Sequence, residues 1–288
     1  MSRAEVETLR AQLAARPAGT SLAARRAGFE AMMARASLVE GTSSSPVQIA
    51  PGLSGAMVTT PGADPTRLLV WLHGGQFALG SSASYQSFAA RVSAAAGVAV
   101  LVPDYRLAPE HCFPAAHDDA ETALTWALAN AQQVAIGGDS AGANLAVAAV
   151  QARITKGSAL PSAAWLLSPY LDLTHRAPSI TARAPRDPFV DPAEMDAVAR
   201  RYMGSANSAD PRASPLFGPV AGFSPTLVQV GSDEALFDDA DGFAKRLPAA
   251  VFQEWVGMVH VWPLFADTIE EGRWAIAQAG SFLARELF

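Results

Sequence analysis

Five continuous apolar runs constrain the fold of this chain more than any other feature. They are LLVWL at 68–72, VAVLVP at 98–103, QVAIGG at 133–138, AAWLLS at 163–168 and TLVQVG at 226–231. None alternates apolar with polar residues, so each reads as a strand buried on both faces rather than one. Helix-like stretches at 84–97, 114–131, 141–155 and 238–247 separate them. Strand and helix in alternation predict an α/β fold, a mostly parallel sheet covered on both sides. A last strand near 250–256 and a last helix near 266–286 complete the series, while PVQIA and SGAMVTT are strand candidates before it. Helices are expected at 3–15 and 20–36, and 288 residues, half of them hydrophobic, supply a sizeable core.

Residues 172–222 break the rhythm with many prolines and one clear helix, DPAEMDAVARRYMG. Asp191 is its expected N-cap, Pro192 its first residue, Glu194 the third position of a capping box and Gly204 its stop. The segment reads as an insertion above the sheet, too short for a core of its own. The net charge of −6, with 17% charged residues, provides no polybasic surface. Neither nucleic acid nor an anionic membrane is therefore an expected partner. The N-terminal stretch is charged throughout, and no run reaches the roughly 18 apolar residues of a membrane span. Cys112 is the only cysteine, too few for an internal disulfide or a cysteine zinc site. The expectation is a soluble cytoplasmic protein.

One hydroxyl stands out. Gly138-Asp139-Ser140-Ala141-Gly142 matches G-x-S-x-G between a predicted strand and a predicted helix. A nucleophile on a sharp strand-to-helix turn needs small neighbours, and the turn leaves N–H groups at the helix start free to meet an anion. A helix-capping serine in a glycine-rich turn explains the same five residues, so the motif is weighed with its surroundings. WLHGGQF at 71–77 also follows a strand, and its Gly74, Gly75 and Gln76, with Ala141, are candidate oxyanion donors. A serine also needs a base, and the base a carboxylate. Of the two histidines after Ser140, His175 reads as a surface residue in the insertion. His260, between the last strand and the last helix, is placed to reach Ser140. In 104–119, Arg106 and Glu110 read as structural ion partners.

Taken together, HGG-x, DYRLAPEH.FPAA, GDSAG, VGSDEAL and GMVH closely resemble the hormone-sensitive-lipase-like family of α/β-hydrolases, in order from about residue 65 to 285. The resemblance implies an α/β-hydrolase fold with an eight-stranded, mostly parallel sheet flanked by helices and a helical cap. It divides the chain into N-terminal cap helices over 1–45 and a catalytic domain over 46–288, with 172–222 contributing to the cap. It also implies ester hydrolysis through an acyl-serine intermediate, with no metal and no cofactor. Two copies pairing through the last edge strand, as in similar proteins, is a further expectation.

The acid is the open member. Anchoring on Leu236 and the acidic pair Asp238–Asp239 puts Glu234 where the family carries an aspartate, with Asp233 as the alternative. Asp238 and Asp239 themselves read as charge at a helix N-terminus. Gln76 stands where the family has a third glycine, Val261 replaces a common glycine, and His73 reads as structural. Met32, Met33, Phe189, Tyr202 and Met203 are the candidate substrate-binding residues, with Phe29 beside them, although such a stripe also describes plain core. The expected activity is hydrolysis of short- to medium-chain carboxylic esters. Lactone hydrolysis or acyl transfer uses the same machinery, and a catalytically retired small-molecule-binding protein is the alternative of a different class.

Overall fold

The computed structural model describes residues 3–15 and 21–288. Two helices come first, α1 (Arg3–Ala14) and α2 (Leu22–Met33), then β1 (Ser43–Ala50), β2 (Leu53–Thr59) and β3 (Asp64–Leu72). Thr20, where the second helix was expected to begin, lies outside the described residues. The chain continues through α3 (Gln86–Ala96), β4 (Val98–Pro103), α4 (Ala115–Asn130), β5 (Gln133–Asp139), α5 (Ala141–Lys156) and β6 (Ala163–Leu167). The insertion carries a short α6 (Ser179–Ala182) and α7 (Pro192–Met203), and β7 (Thr226–Gly231), α8 (Phe237–Ala244), β8 (Ala250–Trp255) and α9 (Glu270–Leu287) follow.

The eight strands form one sheet in the order β1-β2-β4-β3-β5-β6-β7-β8. β1 and β2 pair antiparallel, as do β2 and β4, and every pairing from β4 through β8 is parallel. The apolar runs are continuous because successive side chains feed two cores. Leu68, Val70 and Leu72 point to one side, packed with Leu124 and Val147 of α4 and α5. Leu69 and Trp71 point to the other, packed with Phe88 of α3 and Leu283 of α9.

The N-terminal helices and the insertion are tied together by charge. Asp191 caps α7 by accepting the Ala193 N–H at 2.9 Å, with Pro192 first in the helix. The Glu194 carboxylate pairs with Arg25 of α2 at 2.6 Å. Arg26 meets Glu110 at 2.7 Å and the carbonyl of Ala78 at 2.9 Å, so α2 also grips the loop after β3. Arg106 pairs with Asp119 at 2.8 Å. The apolar face of α7 sinks into the core that covers one side of the sheet.

Candidate active site

Parallel strands deliver their following loops to one edge, where α/β folds gather their functional groups. Ser140 directly follows β5 with φ 53° and ψ −118°, a left-handed conformation that costs free energy in any residue but glycine. The small neighbours have a steric reason. A Cβ on Gly142 would lie 1.8 Å from the carbonyl oxygen of Leu72, so α5 and β3 approach closely only through glycine. The Ser140 N–H donates to Leu167 at 3.0 Å, fixing the turn against β6.

The Ser140 hydroxyl lies 3.0 Å from Nε2 of His260, and Nδ1 of His260 lies 2.9 Å from Oε2 of Glu234. His260 is 6% exposed and Glu234 is fully buried. The other carboxylate oxygen, Oε1, accepts the Ser168 hydroxyl at 2.7 Å and the Gly231 N–H at 2.6 Å. Asp233 turns away, pairing with Arg10 at 2.5 Å and facing Arg186 at 3.6 Å. The fold thus brings Ser140, His260 and Glu234 into one hydrogen-bonded line and leaves Asp233 outside it.

Burial pushes the Glu234 carboxyl above its ordinary range, against the bonds from His260, Gly231 and Ser168 that pull it down. Burial pulls the His260 imidazole down, but the hydrogen bond and charge of Glu234 outweigh it, with Asp187 and Asp139 adding to the rise. Net, His260 is a stronger base than a free imidazole. The proton between the two belongs on Nδ1, because Oε1 already receives two other donors and a carboxylate takes them better than a neutral carboxyl does.

Opposite Ser140, the loop after β3 holds Gln76 and Phe77 at φ 57° and 58°. Among the described residues, the N–H groups of Gly75, Gln76 and Ala141 have no protein acceptor, and Ala141, first in α5, has no intrahelical one available. Gly74 departs from expectation. Its N–H is already engaged, by Asp139 Oδ1 and by the Tyr85 hydroxyl, both at 3.1 Å. A Cβ at Gly74 would stand 2.2 Å from Asp139 Oδ2, so this glycine lets the loop lie on the elbow instead of supplying a donor. Burial pushes Asp139 up to about 6, against donors from Tyr85, Gly74 and Trp71. His73 is stacked on Tyr105 with ring centroids 4.3 Å apart, and burial holds it down to about 4. It is a neutral structural residue.

The substrate-binding candidates divide. Phe189 sits edge-on to His260, with ring centroids 6.1 Å apart, and also meets Phe265. Met32 and Phe29 are partly buried against the core on the α3 and α9 side. Tyr202 is fully buried and stacked on Phe77 at 3.8 Å, and Met33 and Met203 are nearly as deep. All three are buried as packing residues: the insertion's helix turns Tyr202 and Met203 into one core, and α2 turns Met33 into the other. His175 is also corrected: its side chain is only 9% exposed, bridging the Tyr170 hydroxyl at 2.5 Å and Asp196 at 2.9 Å. Asp239 does more than charge a helix start, since it is buried and accepts the N–H groups of Leu171 and Asp172 at 2.7 and 2.9 Å. Sequence reasoning missed Ser168, Asp139 and Arg10, whose contacts span 66, 65 and 223 residues. Only Asp139 carried a local signal, its place inside the motif.

Such a line of serine, imidazole and carboxylate beside free N–H groups, at the carboxyl edge of a parallel sheet, is the equipment of an acyl-transferring hydrolase. The comparisons agree. A family model of the alpha/beta hydrolase fold matches residues 69–264. An acetyl-hydrolase of Streptomyces hygroscopicus is 42% identical over 230 residues, 77% of each chain. An esterase of Acinetobacter venetianus is 34% identical over 228 residues, 76% of this chain and 75% of its own. The crystal structure of an esterase from the bacterial hormone-sensitive lipase family superposes with a TM-score of 0.95 at 34% identity, covering both chains completely. The chain belongs to the α/β-hydrolase family, among the hormone-sensitive-lipase-like carboxylic ester hydrolases. Among the described residues, no helix is long and apolar enough to cross a membrane.

Proposed function

We propose that this hydrolase is a serine esterase cleaving short- to medium-chain carboxylic esters, with Ser140, His260 and Glu234 as its triad. The observation that carries the reading is the unbroken line from Ser140 Oγ to His260 Nε2 at 3.0 Å and from His260 Nδ1 to Glu234 Oε2 at 2.9 Å. Ser140 Oγ attacks the ester carbonyl as its proton passes to His260 Nε2. The negative charge that forms on the carbonyl oxygen is met by the N–H groups of Gly75, Gln76 and Ala141, which need no reorganisation to receive it. Collapse of the tetrahedral intermediate breaks the bond to the alcohol, and the imidazolium gives that oxygen its proton. Water, deprotonated by His260, then attacks the acyl-serine and releases the acid. Glu234 remains an anion throughout, holding the imidazole in one tautomer.

The preference for small acyl groups rests on the relatives, one named an acetyl-hydrolase and another, from Pseudomonas putida and 33% identical, an ethyl acetate hydrolase. It rests also on Phe189 crowding the face of His260. The test is stoichiometric labelling by a phosphonate ester together with hydrolysis of p-nitrophenyl acetate, butyrate and octanoate. The wild type is expected to be labelled once and to prefer the shorter esters, and Ser140→Ala to lose both properties. A folded wild type that is neither labelled nor active refutes the assignment; preference for octanoate refutes the substrate class alone.

A further inference from the structure

Ser168 directly follows the parallel strand β6, and nothing in the mechanism so far uses it. It is fully buried, yet its backbone is left-handed, with φ 47°. A serine in that conformation persists only where its surroundings hold it, and here the Ser168 N–H donates to Gln229 of β7 at 2.8 Å. The hydroxyl has two neighbours. Glu234 Oε1 lies 2.7 Å away and the Val261 N–H 3.0 Å away. The direction of both bonds follows from chemistry. A backbone N–H can only donate, so the Ser168 oxygen accepts from Val261 and its single proton goes to Glu234.

We infer that Ser168 is a positioning residue for ester hydrolysis, locking the Glu234 carboxylate and the loop of His260 to one another through a single hydroxyl. This rests on Glu234 being the triad acid. A glutamate has one more rotatable bond than an aspartate, so its carboxylate must be held at both oxygens to keep one of them on His260. Gly231 and Ser168 hold Oε1 while His260 meets Oε2. The second bond reaches the base directly, because Val261 is the next residue after His260 and is itself left-handed at φ 51°. The acid loop after β7 and the base loop after β8 therefore meet on the side chain that follows β6.

The variants Ser168→Ala and Ser168→Gly both remove the hydroxyl, and the glycine also relieves the backbone. Both are expected to lose about 10- to 100-fold in kcat on p-nitrophenyl butyrate, the worth of one hydrogen bond to a charged group, with KM little changed. The acid limb of kcat/KM should move to higher pH. The lost donor stabilised the bare carboxylate of the active form more than the carboxylate–imidazolium pair of the protonated form. The other charges acting on His260, Asp187 and Asp139, remain in both variants. In a Glu234→Gln background, Ser168→Ala should cost less than about threefold, because residues acting through one another are not additive. The proposal is overturned if the variants keep kcat, if kcat falls with the limb unmoved, if the two losses multiply, or if neither variant folds. Should Glu234→Gln alone leave kcat intact, the triad assignment fails first, and that result is separate from the others.

Discussion

Replacing Glu234 by aspartate should damage this enzyme. Removing one methylene withdraws the carboxylate by about 1.5 Å, so the 2.9 Å contact with His260 Nδ1 stretches to roughly 4.4 Å. The 2.7 Å contact from Ser168 opens to roughly 4.2 Å by the same step. Neither remains a hydrogen bond. Each such bond to a charged group contributes about 1.5–3 kcal/mol, but the negative charge stays nearby and still favours the imidazolium. A net loss of about 3 kcal/mol in transition-state stabilisation is therefore reasonable, about 100-fold in kcat. Glu234→Gln removes the charge as well and offers His260 an amide that permits the wrong tautomer, which in serine proteases costs about 10⁴-fold. The assay is steady-state hydrolysis of p-nitrophenyl butyrate, with the active fraction counted by phosphonate labelling and the fold checked by circular dichroism. Wild-type activity in Glu234→Asp would refute the claim that carboxylate reach is set by the loop geometry. Loss confined to Asp233→Asn would refute the identity of the acid.

Three other outcomes are expected. The base must be neutral to act, and Glu234 raises its affinity for a proton, so kcat/KM should fall as pH drops through a value above the ordinary 6.5 of an imidazole; in Glu234→Gln, where only Asp187 and Asp139 oppose burial, the limb should move to lower pH than in the wild type, as a pH–rate profile will tell. Among the described residues the buried Tyr202 hydroxyl has no hydrogen-bond partner, so Tyr202→Phe should keep the stack on Phe77 and stabilise the fold by about 1 kcal/mol, read by urea unfolding with activity unchanged. Arg10 of α1 reaches Asp233 at 2.5 Å and the carbonyls of Gly257 and Arg186, each at 2.6 Å; Arg10→Ala should cost about 1–2 kcal/mol and lower Tm by several degrees, and an unchanged melting curve would show that α1 is not fastened there.

The sheet was legible because burial on both faces leaves a local mark, a continuous apolar run, and each expected run became a strand. The turn at Ser140 was legible for a similar reason: the close approach of α5 to β3 demands glycines within two residues of Ser140. What lay beyond local pattern was the direction of side chains in a loop. Asp233 and Glu234 are neighbours of like charge, and only the tertiary partners, Arg10 on one side and His260 on the other, separate them. The same limit misread Gly74, whose N–H is taken by a side chain 65 residues away, and His175, which the insertion folds back onto Tyr170. Tyr202 and Met203 were read as lining because helical periodicity marks an apolar face without saying whether a cavity or a core lies opposite.

Strain links these local features to the chemistry. Left-handed backbone outside glycine occurs at Gln76, Phe77, Ser140, Ser168, His175 and Val261. All but His175 belong to the loops that meet at the serine–histidine–glutamate line. Such residues cost about 1–3 kcal/mol each, so neighbouring contacts must hold them. Phe77 is held by its stack on Tyr202, Ser140 by its bond to Leu167, Ser168 by Gln229, and Val261 by Ser168. The holding contacts come from β6, β7 and the insertion helix, elements with no reacting group of their own. Their packing energy keeps N–H groups and a buried carboxylate aimed before any substrate arrives, the condition under which electrostatic stabilisation of a transition state costs no reorganisation. The buried Tyr202 stack thereby supports the loop after β3 that carries Gly75 and Gln76, the proposed oxyanion donors.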